Sequence, residues 1–113
     1  MTVTYAKNRS SGKILTLAAP YNRLANEGAM IGSIFGVALV DVDSGDDAAF
    51  ETEGVFELAK TSAQAWTAGQ KIYWDNTNKN VTTTSAGNTK IGVAAVAAAS
   101  GDTVGRVRLN GSF

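Results

Sequence analysis

A chain of 113 residues with ten basic residues, ten acidic residues, no cysteine and no histidine excludes several chemistries at once. Disulfides, thiolate metal sites and every Ser-His or Cys-His nucleophile pair are ruled out. Zero formal charge without clustered Lys or Arg argues against direct contact with nucleic acid.

Residues 1–12 are polar and end in the turn-rich Asn8-Arg9-Ser10-Ser11-Gly12, so they read as an extended, flexible N-terminal arm. The start lacks the apolar stretch of a signal peptide, which predicts a protein made in the cytoplasm. Residues 13–113 read as a single β-rich domain, long enough to bury a core of its own. Lys13–Ala19 is a first strand, stopped by Pro20, and Tyr21–Gly28 is a loop. Ala29–Val42 is apolar on both alternate faces. Gly32, Ser33 and Gly36 inside it argue against a helix, which leaves one or two buried strands. This run is also too short to cross a bilayer as a helix, so no membrane partner is expected.

Asp43–Asp47 is a turn. After it, Ala48–Leu58 alternates, with Phe50, Thr52, Phe56 and Leu58 inward and Glu51, Glu53 and Glu57 outward. Lys60–Gly69 has room for one helical turn. Lys71–Asp75 and Asn80–Thr84 flank the turn-forming Asn76–Lys79 as a hairpin. Lys90–Ala99 is a small-residue strand, Ser100–Asp102 turns, and Val104–Leu109 is the last strand, with Val107 and Leu109 in and Arg106 and Arg108 out. The fold class is therefore all-β, a small barrel or sandwich of antiparallel hairpins. An internal echo supports this reading. Gly36-Val37-Ala38-Leu39-Val40 followed by Ser44-Gly45-Asp46 returns as Gly92-Val93-Ala94-Ala95-Val96 followed by Ser100-Gly101-Asp102. A one-residue slip beyond the aspartate then aligns Glu51–Phe56 with Arg108–Phe113, as a bulge would.

Four groups of residues are candidates for a site. Asp41, Asp43, Asp46 and Asp47 suggest a calcium loop, but its fifth, sixth and twelfth positions are Gly45, Asp46 and Thr52, so the template fails. Glu51, Glu53 and Glu57 could serve as paired carboxylates, but they sit on the wet face of one strand without an acid–base partner. No catalytic residue, metal or cofactor is expected. Tyr73 and Trp74 are adjacent in a strand and face opposite ways, which predicts one outward aromatic and makes Trp66 or Trp74 a candidate interface anchor. Arg106 and Arg108 form a stripe complementary to Glu51 and Glu53, able to pair across strands or subunits.

Gly36–Leu39, Thr52–Leu58, Ala65–Gly69, Ile72–Asp75, Val81–Thr84, Ile91–Ala94, Ser100–Asp102 and Val107–Leu109 occur in one order. With them the chain, over about residues 13–111, resembles the DUF2190 family of tailed-phage and prophage proteins, which are similar to capsid cement or decoration proteins. The resemblance implies a β-rich homotrimer on the outside of an icosahedral shell. There it would bridge major capsid subunits with its N-terminal segment reaching across the shell. Tyr5, Lys7 and Arg9 on the arm, together with Trp66, Trp74, Arg106, Arg108, Glu51 and Glu53, are then the candidate contacts to capsid or to sister subunits. The partners expected are the major capsid protein and further copies of the chain itself. Two other functions stay open, a glycan-binding module on a virion surface that uses an outward tryptophan, and a carboxylate hydrolase. No phosphate-binding GxxxxGK loop supports ATP use.

Overall fold

A computed structural model describes residues 12–110. Among these residues there is no helix, and nine strands form two antiparallel sheets. The first sheet contains β1 (Ile14–Ala18), β2 (Gly28–Ile31), β3 (Ile34–Ala38) and β4 (Asp47–Glu51), in the order β1-β4-β3-β2. The second contains β5 (Glu53–Ala59), β6 (Lys71–Asp75), β7 (Asn80–Thr82), β8 (Thr89–Ala94) and β9 (Val104–Asn110). Its order is β5-β9-β8-β6-β7, and it curls into a half-barrel.

The apolar run 29–42 resolves into two strands joined by Gly32-Ser33, with Ile31 opposite Ile34. Gly32 holds φ at 60°, and a glycine in the left-handed region at the first turn position lets a two-residue hairpin follow the strand twist. The helical turn expected in Lys60–Gly69 does not form. Its amides donate across the chain instead, Thr61 to the Val81 carbonyl, Ala63 to Ser100, Trp66 to Ala98 and Gly69 to Ala94. The Trp66 and Gly69 amides, which a helix would direct to the carbonyls four residues back, are thereby taken by other partners.

The echo in the sequence is an echo in space. In the first sheet Val37 faces Glu51 and Ala38 faces Phe50. In the second, Val93 faces Arg108 and Ala94 faces Val107, the register that the echo and its one-residue slip require. The outer strands continue the match. Ile14 faces Glu51 as Val55 faces Arg108, so Ile14-Leu15-Thr16-Leu17-Ala18 stands where Val55-Phe56-Glu57-Leu58-Ala59 stands in the other half. Even the loops agree. The Leu24 amide donates to Glu27 Oε1 and the Asn26 amide to the Ala38 carbonyl. The Thr67 amide likewise donates to Gln70 Oε1 and the Gly69 amide to Ala94. Asn26 and Gly69, at matching positions, both have positive φ. The chain is two copies of one four-stranded unit, residues 12–52 and 53–110, with β7 added to the second.

The two copies are filled differently. The larger core joins Leu58, Trp66, Ile72, Trp74, Val81, Ile91, Val107 and Leu109 of the second half to Phe35 and Val37 of the first. The smaller core gathers Ala19, Ala29, Ala38, Val42 and Ala48 around Phe50. Strand alternation places the charges. Along β9, Gly105, Val107 and Leu109 are buried while Arg106 and Arg108 are exposed.

Candidate functional site

β4 and β5 are separated by Thr52 alone, so Glu51 and Glu53 fall on either side of the junction between the halves. The buried Thr52 fixes that junction. Its amide donates to the Lys13 carbonyl at 2.6 Å, and its hydroxyl lies 3.1 Å from both the Gly12 and Lys13 carbonyls. Around it opens a cleft of about 370 Å³ lined by Lys13, Glu51, Glu53, Gly54, Arg108, Leu109 and Asn110. Three of the residues singled out in the sequence, Glu51, Glu53 and Arg108, thus come together. Both carboxylates are half-buried, and the arginine side is exposed.

Arg106 lies apart from this cleft. The register sets it opposite Glu57, and its Nε sits 3.4 Å from Glu57 Oε1 in an exposed ion pair. Within the stripe Arg106 thus pairs inside the sheet to Glu57, while Arg108, opposite Val55, borders the cleft with Glu51 and Glu53. A second cleft of about 480 Å³ includes Glu57, Val96, Asp102, Val104 and Arg106.

The outer face of β1 and β4 carries Ile14, Thr16, Ala18, Asp47, Ala49 and Glu51. The matching face of β5 and β9 carries Val55, Glu57, Ala59, Val104, Arg106 and Arg108. Each face holds uncovered β-branched residues, Ile14 at 49% exposure in the first and Val55 at 56% and Val104 at 49% in the second.

The tryptophans correct the sequence reading. Trp66 is 2% exposed and Trp74 3%, so neither points outward as an anchor. Tyr73 and Trp74 do face opposite ways, but the outward member is the half-buried Tyr73. The second half-barrel has room for both indoles because Gly105 lies against the Trp66 ring, where any Cβ would collide, and because Trp74 packs on Phe35 from the first half. Tyr5, Lys7 and Arg9 lie outside the described residues.

An unforeseen cluster locks the halves together. Asn76 Oδ1 accepts from the Trp74 indole at 3.1 Å and from the Tyr21 hydroxyl at 2.9 Å, while that hydroxyl accepts the Met30 amide at 3.0 Å. Lys79 Nζ stands 4.3 Å above the Tyr21 ring. The hydroxyl and the Arg23 guanidinium, which donates to the Gly28 carbonyl, occupy the edge of β2 with side chains, where β6 in the other half has β7. The turn-forming Asn76–Lys79 was legible in the sequence, but its reach to Tyr21 was not. Asp75 shapes this turn. The Asn78 backbone and side-chain N–H groups, followed by the Thr77 amide and Lys79, hold its carboxyl below the ordinary aspartate value.

The aspartates of 41–47 assemble no metal centre, and among the described residues no group of three or more His, Cys, Asp or Glu side chains converges. Asp41 Oδ1 instead accepts the Ala25 amide. What the geometry offers is surface: two repeated, partly apolar strand faces that meet at a charged cleft.

Comparison with known proteins agrees with a binding role. No curated protein and no solved structure matches this chain. A family model described as phage cement protein matches residues 9–109, nearly the whole chain. The chain therefore belongs to the phage cement protein family.

Proposed function

We propose that this protein binds the outer surface of an icosahedral phage head as a homotrimer and stabilises contacts between neighbouring major capsid subunits. Family membership supports the cement role. The observation that carries the finer reading is the pair of outer faces, β1–β4 and β5–β9. Uncovered Ile14, Val55 and Val104 lie there beside Asp47, Glu51, Arg106 and Arg108, the mixture of apolar and charged groups that protein interfaces use. Cementing needs no bond chemistry. It needs many modest contacts repeated by symmetry, so that their joint strength exceeds that of any one. In this reading the arm residues Tyr5, Lys7 and Arg9 extend the reach to a neighbouring subunit. Glycan binding through an outward tryptophan has no support, since both indoles are buried.

Particles assembled without the protein test the proposal. They are expected to form, to lose DNA at a lower temperature than complete particles, and to regain robustness when purified protein is added back. Depleted particles as robust as complete ones would refute the cement reading. Density for the protein on the inner surface would refute its placement.

A further inference from the structure

β1 lies at the rim of the first sheet, where only β4 pairs with it. The Ala19 amide donates to the Asp46 carbonyl and the Thr52 amide to Lys13. Alternation along an antiparallel pair then turns the N–H and C=O groups of Ile14, Thr16 and Ala18 away from β4. Among the described residues nothing bonds to them. The features that blunt such an edge are missing, since Ile14–Ala18 holds no charge and no proline and its register is unbroken. In the second half the corresponding edge is covered. There β7 closes on the end of β5, with Lys60 bridged to Val81 and the Thr61 amide donating to the Val81 carbonyl, and Leu58 is buried. Leu17, the counterpart of Leu58, is only half-buried. Pro20 stands at the position of Thr61 and has no amide, so the first half is not closed in the same way.

An open edge binds an extended segment through its backbone and selects it by alternate side chains. Here the occupant needs apolar residues at every second position, to continue the inward row of Leu15 and Leu17. Thr2-Val3-Thr4-Tyr5-Ala6 has that pattern, in β-branched and aromatic types. Its own β1 is badly placed to receive it. The Thr52 hydroxyl lies 3.1 Å from both the Gly12 and Lys13 carbonyls, so the chain enters β1 along the β4 side, opposite the open edge. The eleven residues ahead of Gly12 span about 36 Å when extended, enough to reach a domain alongside. We propose that residues 2–6 of one copy add as a strand to the open edge of β1 in the next copy. Antiparallel pairing with Thr4 opposite Thr16 bonds Thr2, Thr4 and Ala6 to Ala18, Thr16 and Ile14. The same register sets Val3 and Tyr5 beside Leu17 and Leu15. Donor segment and receiving edge are different parts of the chain, so the contact repeats head to tail until a ring closes. The inference rests on the oligomeric part of the function proposed above and supplies its contact.

The chain has no cysteine, so engineered disulfides report the pairing directly. Thr4→Cys and Thr16→Cys are made in separate full-length chains, one of them isotopically labelled, and each is checked by thermal melting. They are mixed and oxidised both in concentrated solution and on depleted particles. A mixed disulfide is expected, because directly opposed residues lie about 5.5 Å apart between Cα atoms. Using Val3→Cys in place of Thr4→Cys moves the thiol to the other face of the strand and should slow bonding at least about tenfold. Thr4→Pro removes an amide from the ladder and should weaken self-association at least about tenfold, whereas Thr4→Ala should not. If Thr16→Cys melts early, this proline–alanine pair decides. Absence of the mixed bond in both settings, or bonding indifferent to the strand face, would overturn the proposal. So would a chain carrying both cysteines that closes its own bond at high dilution, since the segment would then lie on its own β1. A bond from the Thr4→Cys chain to a capsid subunit in place of the mixed bond would assign the segment to the capsid and also overturn it. Decoration without the mixed bond leaves cementing intact and removes this contact. A mixed bond in solution without decoration does the reverse.

Discussion

The Tyr21 hydroxyl, from the first half of the chain, lies 2.9 Å from the side-chain carbonyl of Asn76, at the β6–β7 turn of the second. Because the same hydroxyl accepts the Met30 amide and the same carbonyl accepts the Trp74 indole, one bond ties two partly buried donors into one chain of hydrogen bonds. Tyr21→Phe should leave the Met30 amide unpaired and cost about 1–2 kcal/mol. Asn76→Ala strands two donors and should cost more. A double-mutant cycle by chemical denaturation is expected to show non-additivity above roughly 0.5 kcal/mol. Strict additivity would mean that the two halves are not joined here.

Gly92, Gly36 and Gly32 rank by what their missing side chains would meet. A Cβ at Gly92 would fall on the Arg108 carbonyl oxygen, which is backbone and cannot swing away. At Gly36 it would press on Phe50 Cβ at 2.9 Å. At Gly32 it meets nothing, so only the positive φ opposes it. Melting temperatures of the three Gly→Ala variants should therefore fall in the order Gly92 lowest, Gly36 next and Gly32 highest, the last costing about 1 kcal/mol. A Gly92→Ala protein as stable as Gly32→Ala would contradict this packing.

The buried tryptophans are structural. Replacing either by Ala should destabilise the fold by about 3–5 kcal/mol, so loss of capsid binding by such variants would report unfolding. The Phe variants separate the two. Trp74 donates to Asn76, whereas Trp66 Nε1 is buried and has no acceptor among the described residues. Trp66→Phe should thus lose only packing, and Trp74→Phe packing and a hydrogen bond. Equal melting temperatures would argue that the Asn76 bond contributes nothing.

Acid should loosen the β6–β7 turn. The folded value of Asp75 lies below the unfolded one, so its contribution is present above the ordinary aspartate range and is lost as pH falls through the folded value. Asp75→Asn should remove part of the pH dependence of stability below about pH 4 and leave it unchanged near neutrality. A backbone amide of Asn78 that does not respond in that range, followed by NMR, would refute the assignment.

Much of this was written in the sequence because local physics decided it. Alternation fixed which residues of Val104–Leu109 point outward, and the echo at Gly36 and Gly92 marked the same strand pairing twice, whereas Ala48–Leu58, which reads as one strand, divides at the buried Thr52 into β4 and β5 of different sheets. Three things were not legible, each because a distant partner decides it. Trp66 and Trp74 read as one core and one surface residue, and only the curl of the second sheet, with Gly105 beneath Trp66, makes room for both. Lys60–Gly69 has the composition of a helical turn, yet carbonyls of residues 81, 94, 98 and 100 claim its amides. Arg106 was matched by charge to Glu51 or Glu53, whereas strand register awards it Glu57.

The unequal filling of the two units sets an order of opening. Where the second half has Trp66, Ile72 and Trp74, the first has Arg23, Ala29 and Ile31 at corresponding positions, and its own small core is largely alanine around Phe50. β3 is held regardless, since Phe35 and Val37 belong to the larger core. β1 has neither anchor. It pairs with β4 alone, and Leu15 and Leu17 are only half-buried. Amide exchange should therefore be fastest at β1, follow at β4 and be slowest through β8 and β9. The first strand is then the one whose release costs least, so tension applied to the chain ahead of Ile14 would peel β1 from β4 while leaving the shared core folded.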